Sequence, residues 1–369
     1  MTISRISVSV VRSLSKDITE ALAGIGVTTL TSCAARSPTV EQGGFWGGTK
    51  IVDDPVDTFS FFVPSDVVDK VVSLLVTVGR LDLPGRGSVF AVNVELPHPD
   101  NAKHVNQVLV DGLETVQLSN NVTGICCIVQ RGQGTRVARV ALDIGAGVPS
   151  VTHGIGLGVR DKMGLLRIAI PADKELIWTA VASTDAEILF DGMIEAGELD
   201  QPGKGFIFMF PLSTAHLNMD VTRGMLNSAA STEQIVVAID GILGNINWRQ
   251  RDYIGDGKKS LTYLTDLVNL ELICNESSGD ELVGAAMAAG AAGASIVKIK
   301  QLNLTNSTEA ARETKPIARE ACHMIVARST VPDIMDALQR VGCFEEEEDG
   351  LVITSNTDKA CTYLPPMAK

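Results

Sequence analysis

Apolar and polar residues follow one order along this chain three times over. In the first pass Ile6, Val8 and Val10 alternate with serines and arginine, the period-two pattern of a half-buried strand. Ile18, Ala21, Leu22 and Ile25 then recur at helical spacing, with Ser15 placed to cap the helix and Gly26 to end it. Val27 to Ala35 reads as a second strand, Arg36 to Asp57 as a loop of about twenty residues, and Thr58 to Val63 as a third strand. Ser65 is placed to cap a valine-rich helix reaching Val78, and Phe90, Val92, Val94 and Leu96 mark a fourth strand.

The second pass runs Ile125 to Gln130, a helix from Thr135 to Ile144, Val148 to Thr152, a loop, Leu176 to Val181, a helix from Thr184 to Ala196, and a last strand. The third runs Val268 to Cys274, a helix from Asp280 to Ala289, Ala294 to Lys300, a loop, Arg319 to Ala327, a helix from Thr330 to Val341, and Leu351 to Thr354.

Local identity supports the repeat. Gly79 to Phe90 reads GRLDLPGRGSVF and Gly197 to Phe208 reads GELDQPGKGFIF, 118 residues on, with seven of twelve positions identical. A further shift of 145 residues lays Gly342 on Gly197 and Gly350 on Gly205. Strand–helix–strand–strand–helix–strand is the ferredoxin-like arrangement, whose sheet has one face left to cover. The expected fold class is therefore α+β, an α/β sandwich of three tandem βαββαβ domains whose sheets cover one another about a shared axis. The expected bounds are 1–97, 123–213 and 267–369, with linkers at 98–122 and 214–266. The second linker carries an amphipathic stretch, Glu233 to Leu243, and the tetrad Trp248 to Arg251, to which no role attaches.

Composition narrows the partners. Aromatics make up 4% and hydrophobic residues 45%, so the cores are built from Val, Ile, Leu and Ala. Mean hydropathy is +0.19, that of a packed chain rather than a disordered one. A formal charge of −13 argues against nucleic acid and anionic membrane. No apolar run has the length of a membrane span, and Met1 to Val11 lacks a secretory core, which makes the cytoplasm the expected compartment. The seven cysteines form no C-x-x-C pair, and the five histidines lack ligand spacing, so buried free thiols are expected and a zinc site is not.

Two short turns hold the candidate chemistry. Gly85-Arg86-Gly87-Ser88 and Gly203-Lys204-Gly205 each set a basic residue between glycines, where bare N–H groups can receive an anion. The same glycines can equally serve only a tight turn into the last strand. In the third pass Glu348 and Asp349 stand at these positions beside Glu345, Glu346 and Glu347, a run that would repel an anion and that reads either as a cation site or as a solvated turn. Ile254 to Lys258 has a similar look but lies in the linker. No nucleophile–base spacing appears, which points away from an enzyme.

Glu20 to Val27, Phe62 to Val72 and Gly85 to Phe90 resemble three successive stretches of the PII nitrogen-regulatory proteins, and Asp200 to Phe208 looks like PII-like relatives. The resemblance implies a non-catalytic signal-transduction protein in which three domains in one chain stand for three subunits, an internal pseudo-trimer and hence a 39.1 kDa monomer. It implies adenine nucleotide (ATP, ADP or AMP) in inter-domain clefts at the glycine turns, and a protein partner reading T-loop-like loops at Arg36 to Asp57, Gly154 to Glu175 and Gln301 to Ala318. In the first of these, Gln42, Gly44, Phe45, Trp46 and Gly47 form an aromatic tip for a partner or ligand, or one that folds back on an adjacent domain.

The chain departs from the family where nucleotide would bind. Ser88, Phe206 and Leu351 stand where PII proteins carry a lysine, and the arginines after the last strand have no counterpart. No T-loop-like segment holds a tyrosine, so control by uridylylation is not expected. The alternatives are a PII-shaped interaction scaffold without ligand, or a metal- or anion-tolerance protein of trimeric ferredoxin-like form.

Overall fold

In β1 (Ile3–Val11) the alternation of the sequence becomes two faces: Ile6, Val8 and Val10 are fully buried on one side, and Arg5, Ser7 and Ser9 stand on the other. The computed structural model describes residues 2–42, 49–83, 85–158, 172–217, 222–223, 262–304 and 315–363. The apolar face of β1 packs on Ile18 and Leu22 of helix α1 (Ser15–Gly24) and on Val71, Val72 and Leu75 of α2 (Val68–Gly79). Each such side chain, fully buried, contributes about 2–3 kcal/mol of transfer free energy.

The sheet of this first unit is antiparallel. β1 lies between β3 (Thr49–Pro64) and β4 (Gly87–Val94), and β2 (Thr29–Gln42) pairs with β3 on its far side. The second unit repeats the order with β5 (Val122–Gln130), α3 (Gly134–Ile144), β6 (Ser150–Gly158), β7 (Asp173–Ala182), α4 (Ala186–Gly197) and β8 (Gly205–Pro211). Three short strands follow: β9 (Thr214–His216), β10 (Thr222–Arg223) and β11 (Tyr263–Leu264). The third unit has β12 (Leu267–Asn275), α5 (Gly279–Ala288), β13 (Gly293–Asn303), β14 (Ile317–Ala327), α6 (Val331–Arg340), β15 (Leu351–Thr357) and a further strand, β16 (Lys359–Thr362). The whole is a mixed α/β structure around one large, mainly antiparallel sheet.

The three units close on one another. The strand after the second unit, β9, pairs with β4 of the first, and β16 after the third pairs with β8 of the second. Glu95, just past the first unit, bridges Thr354 on β15 of the third, with N–H···O distances of 2.9 and 3.0 Å in the two directions. Each unit's tail thus extends the edge of the preceding one, leaving no open edge at that position. Each unit has its own helix-side core, and a fourth core at the centre takes Phe62, Val92 and Val94 from the first, Leu176, Phe208 and Phe210 from the second, and Val297, Ile299 and Ile353 from the third.

Several expectations are corrected. The stretch Arg36 to Asp57 is largely hairpin rather than loop, because Ser37 and Thr39 are buried and Oγ of Ser37 donates to the carbonyl of Pro149 at 2.9 Å. Residues 154–158 and 173–175 are likewise strand, as are 301–303 and 317–318. Ser15 does not cap α1 but begins it, with its hydroxyl donating to Asp57 Oδ2 at 2.7 Å, and Ser65 opens a 3-10 turn with its hydroxyl on Ser4 at 2.8 Å.

The glycine register also slips by one. Arg80 and Glu198 hold the left-handed position that ends α2 and α4, and Gly342, not Val341, holds it after α6. The turn up to Gly350 is one residue longer in consequence, closed by the Gly350 N–H on the carbonyl of Cys343 at 2.9 Å. The segment Pro97 to Asn121 is no free tether, since Asn106 bonds the N–H groups of Thr28 and Thr29 and the carbonyls of Thr29 and Phe62. All seven cysteines are free, six of them buried. Gly44, Phe45, Trp46, Gly47, the Glu233 to Leu243 stretch, Trp248 to Arg251 and Ile254 to Lys258 lie outside the described residues, and Gln42 is the last residue of β2, paired with Thr49.

Candidate functional site

The glycine turns are built by close backbone approach. A Cβ on Gly87 would stand 1.8 Å from the Ser9 carbonyl oxygen, and one on Gly205 would stand 2.1 Å from that of Ile128. No side chain fits there, and Gly85 and Gly203 carry φ values of 69° and 72° that suit glycine. The second basic residue is spent: Lys204 Nζ lies 2.5 Å from Glu198 Oε2, and Gln130 donates to the Gly203 carbonyl at 3.0 Å. Arg86 gives its carbonyl to the Val11 N–H, and among the described residues no acceptor pairs with its half-buried guanidinium. Ser88, expected in the anion turn, instead lines the cavity at the centre of the molecule.

In the third turn Glu345, Glu346 and Glu347 are exposed, as a solvated run would be, while Glu348 and Asp349 are half-buried and engaged. The Glu348 carboxylate accepts from the Asn275 N–H at 2.6 Å and the Ser278 hydroxyl at 2.8 Å. Arg319 donates to the Asn275 side-chain oxygen at 2.7 Å and to the Asp349 carbonyl at 2.6 Å. The carboxylate itself thus takes the donors an anion would use. Among the described residues no group of three or more His, Cys, Asp or Glu is placed to hold a metal.

One threefold feature has no signature in local sequence. Asp57, Glu175 and Glu320 sit at matching positions, opposite Val10, Val129 and Cys274 on the central strands. Each carboxylate serves the start of the first helix in its unit: Asp57 takes the Ser15 hydroxyl, Glu175 the N–H groups of Gly132 and Gly134 at 3.0 and 2.7 Å, and Glu320 the N–H of Gly279 at 3.0 Å. At Glu175 the contact crosses units, because Arg36 of β2 donates to it at 3.1 Å. A pairing code three residues apart marks a capping box in sequence; a carboxylate roughly forty residues from its helix start leaves no such trace.

The other feature is the cavity where the three sheets meet, about 90 Å³ in volume. Equivalent cross-strand pairs stand at this level in all three units, Ser7 with Ser60, Cys126 with Trp178, and Glu271 with His323, and all of them but Cys126 line the cavity. The first unit's wall is hydroxylic, with Ser7 and Ser60 2.9 Å apart and Thr58 near Ser9 at 3.4 Å. The facing wall is apolar, with Val297, Ile299, Ala321 and the Trp178 ring.

Charge is concentrated at one spot in it. Arg5 Nη1 of the first unit pairs directly with Glu271 Oε2 of the third, and both side chains are more than nine-tenths buried. His323 Nδ1 stands 3.8 Å from the same carboxylate oxygen, and its ring centroid lies 5.4 Å from that of Trp178. Burial alone would raise the Glu271 pKa, but Arg5 overrides it and holds the group below the usual carboxylate value. Burial pushes His323 below its ordinary value against the pull of Glu271, so the imidazole is neutral at pH 7. Arg5 Nε and His323 Nδ1 are buried without a hydrogen-bond partner among the described residues. A donor left so in a cavity is a ready contact for a ligand. Sequence reading missed this site because Arg5 lies 266 residues from Glu271, and His323 stands on a different strand again; the one hint was an arginine and a glutamate in otherwise apolar strand patterns.

No family model and no curated protein matches the chain. Among solved structures it is similar to the aspartate kinase from Synechocystis, at 8% identity and a TM-score of 0.20. The match covers 95% of this chain and 43% of the kinase chain, so the chain spans less than half the kinase's length. A likeness that slight bears on neither fold nor activity. Among the described residues no helix is long and apolar enough to cross a membrane.

Proposed function

We propose that this chain is a non-catalytic regulatory protein of PII-like construction, with three ferredoxin-like domains forming a pseudo-trimer in one polypeptide, and that it takes a small molecule at the axis where the three sheets meet. The observation that carries this reading is the convergence of Arg5, Trp178, Glu271 and His323, drawn from all three units, on one cavity with two unsatisfied nitrogens. A ligand there touches every unit at once and biases how they pack, which is how occupancy would reach a protein partner on the surface. The axial cavity replaces the glycine turns as the leading ligand site, since Lys204 is paired with Glu198 and Glu348 fills the third turn. Adenine nucleotide at the first turn stays a second reading, favoured by Arg86, whose guanidinium has no acceptor among the described residues.

The test is thermal unfolding of the wild-type chain and of Ser60→Phe, which fills the cavity, against short carboxylates, polyols, nucleosides and ATP, ADP or AMP with and without magnesium. Stabilisation by one class in the wild type only is the expected result. Equal responses of both proteins to every compound would remove the axial site, and a nucleotide response lost in Arg86→Glu would move the ligand to the first turn.

A further inference from the structure

The axial cavity also says what kind of molecule fits it. We infer that the ligand is a small monocarboxylate, held by Arg5 Nε and the hydroxyl wall of the first unit and taken up together with one proton on His323. This rests on the reading of the cavity as a ligand site and adds the ligand's chemistry.

The donors decide the class. Glu271 is engaged by Arg5 Nη1, while Arg5 Nε still has a hydrogen to give and no acceptor among the described residues. Ser7 with Ser60 and Thr58 with Ser9 form two bonded hydroxyl pairs lining the same cavity, and one hydroxyl of each pair keeps a hydrogen to give. An arginine N–H and several hydroxyls around one space form a carboxylate receptor, and charge-assisted bonds to it are stronger than those to a neutral acceptor. Val297, Ile299 and the Trp178 ring opposite suit a short apolar tail. The space, about 90 Å³, has room for an acid of a few carbons.

The proton follows from charge balance. Arg5 and Glu271 cancel, and His323 is neutral when the cavity is free. Among the described residues, charge reaches His323 only from Glu271 on the neighbouring strand and Arg5 across the axis; Ser150, Thr152 and Trp178 of the second unit and Ser295 beside it bring none. An incoming carboxylate adds a second buried negative charge, which raises the imidazole's affinity for a proton and draws one from water onto a ring nitrogen. The bound state is then neutral again, with two cations and two anions.

The experiment is titration calorimetry of the full chain with acetate, propionate and pyruvate, and with acetamide and propionamide as uncharged counterparts. Each is run at pH 7.5 in two buffers of different ionisation enthalpy. We expect a carboxylate to bind at least about tenfold more tightly than its amide, with close to one proton taken up per carboxylate. In His323→Gln the uptake disappears while weaker binding persists. In the charge-balanced double variant Arg5→Met with Glu271→Met, whose fold is checked by circular dichroism, carboxylate binding is lost. Amides binding as well as acids, no binding of either, or proton uptake unchanged in His323→Gln would each overturn the inference. The cavity reading falls separately, if no compound of any class distinguishes the wild type from Ser60→Phe.

Discussion

Arg5 and Glu271 meet across the axis although 266 positions separate them in the chain, and their ion pair joins the first unit to the third in the interior. Removing one partner of such a pair leaves a buried charge unsatisfied, whereas removing both leaves a site that apolar side chains can fill. Arg5→Met is therefore expected to lower unfolding free energy by about 3–5 kcal/mol, and the double variant Arg5→Met with Glu271→Met to recover most of that loss. Urea unfolding of the four proteins in the cycle measures the coupling. A double variant as unstable as the sum of the singles would show that the pair's partners act independently.

Glu175 is the busiest of the three helix-start carboxylates. It satisfies two N–H groups at the entry to α3 and pairs with Arg36 from the first unit. Glu175→Ala is expected to cost about 3 kcal/mol, since it orphans two backbone donors and leaves Arg36 with only its looser pairing to Asp53 at 3.5 Å. Asp57→Ala, which removes one hydroxyl contact and an exposed pairing with Arg12 at 3.2 Å, is expected to cost about 1 kcal/mol. Chemical denaturation ranks the two, and an equal cost would refute the view that the number of satisfied donors sets the energy.

Much of this architecture could be read from residues alone, and the reason is periodicity. Ile6, Val8 and Val10 announce a strand face, and Ile18 with Leu22 a helix face, because local spacing alone dictates which side is buried. The glycines of the two turns were legible as turns for the same local reason. What was misread depends on distance in sequence. Ser37 and Thr39 look like loop residues until the Pro149 carbonyl arrives from another unit to bond one of them. Ser15 looks like a cap until Asp57 claims its hydroxyl. The axial group is the extreme case, because Arg5 and Glu271 become a pair only when three sheets close on one axis. The basic residue of Gly203-Lys204-Gly205 looked free for an anion, and only the structure puts Glu198 beside it.

Gly87 and Gly112 both have positive φ, 145° and 79°, yet they answer to different physics. A methyl group on Gly87 would overlap the Ser9 carbonyl at 1.8 Å, while one on Gly112 would meet nothing within 4 Å. Gly112→Ala therefore carries only a backbone penalty of about 1 kcal/mol. Gly87→Ala must part β4 from β1 and is expected to cost at least about 3 kcal/mol. Thermal and urea unfolding of the two variants check the ratio. Comparable losses would mean that β4 yields at its first residue and that the turn is not fixed by this approach.

Three histidines give the fold a defined acid limit. His104, His216 and His323 all have pKa values lowered from 6.5, in each case first by burial. In the unfolded chain they bind protons at the ordinary value, so between that value and the folded one the unfolded state holds more protons. Stability from these groups is accordingly complete above about pH 6.5 and falls as pH drops toward the folded values. Unfolding free energy measured from pH 8 to pH 5 should decline below 6.5. His323→Gln should flatten that decline in part, because the amide has no proton to gain. The imidazole signals of the wild type, followed by NMR over the same range, should show His323 titrating below 6.5. A normal titration there would place the imidazole in contact with water and remove the basis for a neutral, proton-accepting group at the axis.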